Sequence, residues 1–100
     1  MSIVYEIENL EEARAFLSFT EDKVVLTTMP GSVKYYGMLV VDYVLKDLSK
    51  AFSNKIEDVI IDIGDDHAAL FTAIKLGYKN IVYTGDSEEA KGLLRGLSKP

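Results

Sequence analysis

Apolar and polar residues alternate at the start of the chain. Ile3, Tyr5 and Ile7 are separated by Val4 and Glu6, a period of two that predicts a strand. From Asn9 the period changes. Leu10, Ala13, Phe16 and Leu17 recur at helical spacing, and Asn9 with Glu12 three residues on is a capping-box pattern. The same switch recurs along the chain. Residues 23–28 read as a strand, Met29-Pro30-Gly31 as a turn, and Ser32 as the cap of a long helix over residues 33–52 that stops near Asn54. Residues 58–63 form a β-branched run of the kind that suits a parallel strand covered on both faces. The helix expected over residues 66–76 ends at Gly77, with Tyr78 placed as the apolar contact of a Schellman stop. Residues 80–84 are the last strand. Asp86 is the expected cap of the last helix, Glu89 completes its capping box, and Ala90, Leu93, Leu94 and Leu97 share one helical face.

Strands that alternate with helices pair in parallel through right-handed crossovers. The expectation is one domain over residues 1–100, a small three-layer αβα fold of four βα units with a mostly parallel four-stranded sheet in the flavodoxin-like order 2-1-3-4. Residues 59–84 also resemble two consecutive units of a TIM barrel, a local pattern that generic α/β units share. Four units forming half a barrel would have to pair with another copy to close the sheet.

Two strands end alike. Ile60-Ile61-Asp62-Ile63 runs into Gly64-Asp65-Asp66-His67, and Ile81-Val82-Tyr83-Thr84 runs into Gly85-Asp86-Ser87-Glu88. Gly bends the backbone and Asp caps the next helix, so these turns should lie along the edge where open α/β sheets place ligands. Asp62, Asp65 and Asp86 could converge there on Mg²⁺, a hard cation that takes oxygen ligands, and Asp62 and His67 are the candidates for proton transfer. The plainer reading makes Asp65 or Asp66 the cap of one helix and Asp86 of the next. Asp62 resists that reading. Inside an apolar run it must lie near the strand end, accept hydrogen bonds, or pair with a lysine.

A second candidate is the loop Thr27-Thr28-Met29-Pro30-Gly31-Ser32 with Lys34 just beyond. Thr28, Gly31 and Ser32 have the parts of an anion cradle for a phosphate or carboxylate, and no acid occupies this turn. The ligand edge as a whole would comprise these residues with Gly64, Asp65, Gly85 and Asp86. The chain has neither a phosphate-loop nor a dinucleotide glycine fingerprint, no Gly-x-Ser-x-Gly elbow and no cysteine. Covalent catalysis has no support in it.

Charge narrows the partners. A net charge of −5 disfavours nucleic acid and anionic membrane surfaces. The basic residues are scattered, with Lys91, Arg95 and Lys99 as one loose cluster on the last helix. Gly92 and Gly96 weaken that helix toward its end. No signal peptide or membrane span is expected, and a reducing cytoplasm is the expected compartment.

The long helix bears on association. Tyr36, Val40, Tyr43, Val44 and Leu48 follow one stripe, and Tyr35, Met38, Val41 and Leu45 cover much of the rest. That is broader than one sheet contact needs, and the surplus of Tyr and Met suits an interface. Tyr35, Met38, Val41 and Leu45 are the expected homodimer face, with Arg14 and Lys46 as solvent-facing charges if the chain instead buries the whole helix itself. The favoured function is a non-catalytic module that associates with itself or a protein partner. The alternative is a protein that binds a small anionic metabolite, or a Mg²⁺-dependent enzyme working at the sheet edge.

Overall fold

A computed structural model describes residues 2–97. The elements are β1 (Ser2–Ile7), α1 (Leu10–Phe19), β2 (Lys23–Thr28), α2 (Ser32–Tyr36), α3 (Met38–Ala51), β3 (Ile56–Gly64), α4 (His67–Lys75), β4 (Asn80–Tyr83) and α5 (Glu88–Leu97). Lys99 of the expected basic cluster lies outside the described residues.

All neighbouring strands pair in parallel in one four-stranded sheet, so the α/β class stands. The order is β1-β2-β3-β4, not the expected 2-1-3-4. The difference has a consequence for the layers. Right-handed crossovers between sequential neighbours keep every helix on the same face, whereas a doubly wound order puts helices on both. Accordingly α1, α3, α4 and α5 lie side by side in that sequence. The sheet residues of the core, Ile7, Val24, Leu26, Ile61 and Ile63, pack in one cluster with helix residues such as Leu17, Leu45 and Leu70. The opposite side chains, Val4, Val25, Thr27, Ile60 and Val82, are partly or largely exposed. One face of the sheet is thus covered by helices and the other is open.

Local chemistry sets the helix ends. Asn9 caps α1 by accepting from the Glu12 amide at 2.8 Å. Gly77, at φ 98°, stops α4 as expected. The Tyr78 amide reaches the Ala73 carbonyl and the Gly77 amide reaches that of Ile74, the paired bonds of a Schellman motif. The last helix differs: Ser87, not Asp86, caps α5, its hydroxyl accepting from the Ala90 amide at 3.2 Å.

The long helix expected over residues 33–52 is two helices. Gly37 adopts φ 89° and ψ 150°, far from helical values, and separates α2 from α3. The break resets the phase of α3. Its buried stripe is Met38, Val41, Leu45 and Leu48, while Leu39, Val40 and Tyr43 face outward. Met38, Val41 and Leu45, expected at a homodimer face, are therefore core residues. Tyr35 alone of that set is exposed. Two apolar stripes competed for the sheet, and the sheet took the one that the break turned inward. Arg14 and Lys46 are solvent-facing, as expected, and each has a partner: Arg14 pairs with Asp47 across α1 and α3, and Lys46 with Asp42 within α3.

Candidate functional site

The C-terminal edge of the sheet is where the turns collect. β3 ends in Gly64, whose left-handed φ of 60° suits glycine, and the Gly64 carbonyl accepts from the Thr84 amide at 2.8 Å. The two similar turns are thus neighbours, as their shared pattern predicts. Gly85 is crowded by the Tyr83 side chain, which a larger residue would have to displace. A Cβ there would lie 2.3 Å from the Tyr83 hydroxyl, because that ring folds back over the turn and accepts from the Ser87 amide at 3.2 Å.

The acids at this edge do local work. Asp66 caps α4, accepting from the Ala69 amide at 3.0 Å. Asp62 lies near the strand end, as a carboxylate there must, and accepts from the Gly64 amide at 2.9 Å. Asp65 pairs with Lys34 at 3.2 Å. That hydrogen bond and the ammonium charge hold the Asp65 carboxyl below the usual carboxylate range. Asp86 is exposed and caps no helix. Among the described residues, no three acidic or histidine side chains converge as a metal site requires. The expected convergence of Asp62, Asp65 and Asp86 is therefore absent: Asp62 bonds within its own turn, Asp65 pairs with Lys34, and Asp86 faces solvent. His67 opens α4, exposed, with its ring edge-on to Phe71 at 6.2 Å.

The anion cradle is altered in the same way. Thr28 is buried, and its hydroxyl accepts from the Asp62 amide at 2.8 Å. The backbone register of β2 with β3 ends at Thr27 and Ile60, so the Thr28 side chain continues the bonding where the ladder stops. Gly31, with φ 88°, is the residue before α2, and it offers no side-chain cap; Ser32 begins the helix instead of capping it. The cation, Lys34, already holds an anion of the chain's own in Asp65.

What remains at this edge is a crevice of about 210 Å³ between the starts of α1 and α3 and the end of β2. Ile7, Leu10, Val40, Val41 and Val44 make its walls, and Asn9, Thr28 and Ser32 supply polar atoms. Leu10 and Val44 were not among the sequence candidates. Their apolar character marks only a core position in the sequence, and only the packing of α1 beside α3 makes them lining.

The chain is 59% identical over 97 residues to the uncharacterized protein RP547 of Rickettsia prowazekii (strain Madrid E), spanning 97% of this chain and 92% of that protein. It belongs to the family of that protein. No family model matches, and no solved structure does.

The crevice opens beside the largest run of exposed apolar side chains. Tyr36 and Val40 belong to both. Leu39 is 71% exposed and Tyr43 67%, and Tyr35 stacks edge-on against Tyr36 at 4.7 Å. Such a run on a single surface is what association sites display. Among the described residues, no helix is long and apolar enough to cross a membrane.

Proposed function

We propose that this chain is a small non-catalytic α/β module that works by association, with a second copy of itself or with another protein, through the outward face of α2 and α3. The observation that supports this reading is the exposed run Tyr35, Tyr36, Leu39, Val40 and Tyr43. Exposed tyrosines are enriched at interface cores because they bring large contact area at low entropic cost. The face is the one opposite the expected Met38, Val41 and Leu45, but the helix is the same. A cytoplasmic setting accords with a chain free of cysteine.

The decisive experiment is sedimentation of the wild type and of Leu39→Ser/Tyr43→Ser over a wide concentration range. Both positions are exposed, so the fold should tolerate the change. Association weakened by roughly tenfold or more supports this face, on the scale of lost hot-spot residues. Association identical in the two proteins would remove the face from consideration.

The crevice favours a second reading, a site for a small ligand with an apolar body and a polar end held near Asn9 and Ser32. The phosphate and carboxylate ligands considered from the sequence fit it less well, since the charged residue that lines it is an acid, Glu8. Saturable shifts of the Leu10 and Val44 methyl resonances with small aromatic probes would support the crevice. No shift with any probe would leave association as the reading.

A further inference from the structure

We propose that two copies of this chain join their sheets edge to edge into one closed parallel barrel, four strands from each copy, whose interior is the open face of the sheet. The proposal concerns self-association but does not use the α2 and α3 surface, so it stands or falls separately from that reading.

The topology comes first. Sequential strand order with all helices on one side is the arrangement of half of a (βα)₈ barrel. Among the described residues, nothing pairs with the outer edge of β1 or of β4. All strands run the same way, so β4 of one copy beside β1 of the other continues the parallel pairing. A two-fold axis along the barrel makes both junctions identical and leaves no exposed edge.

The open face has the layering that such an interior needs. A barrel of this type shifts by about one residue per strand, so each layer takes side chains from alternate strands. The registers Val4 with Val25, Val25 with Asp58, Thr27 with Ile60, and Ile60 with Asn80 then define the levels. Val4 shares a level with Ile60, and Thr27 with Val82. Below them come Val25 with Asn80, and above them Glu6 with Asp62 at the mouth. Branched residues thus fill the middle, and the carboxylates fall at the end, where solvent reaches them. A second copy would complete each level to about four side chains.

The last helix supplies an independent sign. α5 carries the apolar face Ala90, Leu93, Leu94 and Leu97, yet only Ala90 is fully buried and Leu93 is 38% exposed. It leans on α4 more than on the sheet. In the barrel α5 would lie over the junction of β4 with the second copy's first strand, as α1 lies over β1 and β2.

The test uses the full chain in sedimentation and native mass spectrometry, with Val4→Lys and Val82→Lys as variants. Val4 is 66% and Val82 41% exposed in the single chain, so both variants should keep the wild-type circular dichroism. The expected result is a wild-type dimer whose dissociation constant rises by roughly a hundredfold in either variant, since each dimer would bury two unpaired ammonium groups. Leu39→Ser/Tyr43→Ser should remove any assembly beyond this dimer and leave the edge-to-edge dimer itself intact. Hydrogen exchange on the wild-type dimer should show protection of the β1 and β4 amides that point away from β2 and β3, and dilution should remove it. This readout decides if both sets of variants dissociate. A wild type that is monomeric throughout, a dimer that survives both lysine variants, or a dimer with unprotected outer amides would overturn the barrel.

Discussion

The hydroxyl of Tyr78 donates a 2.7 Å hydrogen bond to the carboxylate of Asp42. It ties the residue just after the α4 stop to the middle of α3, and Lys46 holds the same carboxylate at 3.1 Å. Burial, and then the Asp42 bond, raise the Tyr78 phenol above its ordinary value.

Tyr78→Phe should therefore lower stability by about 1.5–3 kcal/mol, the range for a hydrogen bond to a charged group. The pH dependence has a definite sign. The folded value lies above the unfolded one near 10, so the stabilisation is complete below about pH 10 and is lost as pH rises beyond it. Chemical denaturation of the wild type should show that alkaline loss, and Tyr78→Phe should flatten it.

Gly37 sits at a φ and ψ that other residues rarely adopt. Gly37→Ala should destabilise by about 1–3 kcal/mol, measured by the denaturation midpoint. No neighbouring atom lies within 4 Å of the added Cβ, so any cost comes from the backbone and not from crowding. An unchanged midpoint would mean that α2 and α3 can fuse, and the outward orientation of Leu39 and Tyr43 would then need revision.

Thr28→Val keeps the shape of a buried side chain and removes the oxygen that accepts from the Asp62 amide. A partly buried amide left without a partner costs about 1–3 kcal/mol. The Asp62 amide should also exchange faster with solvent, which separates this effect from a general loss of packing.

The sequence by itself determined the four strands and most of the helices, because strand and helix periodicity, the Asn9 cap and the Gly77 stop are local; the split of the long helix at Gly37 was not read from it. A period of two or of 3.6, a side chain that bonds three residues on, and a glycine that turns left-handed all act within a few residues. It also located the edge where the turns gather, and Asp66 as a cap was legible there. Tertiary structure decided the rest. The strand order depends on which edge each crossover joins, and nothing in the run 58–63 distinguishes a strand covered on both faces from one with an open face. Two apolar stripes on the α3 sequence were equally fit to meet the sheet, and the Gly37 break chose Met38, Val41 and Leu45. The fates of Asp65, Lys34 and Thr28 rest on partners about thirty residues away, such as Lys34 to Asp65 and Thr28 to Asp62. A donor and an acceptor so far apart in the chain meet only once the sheet has assembled, and the order of its strands sets which ones meet.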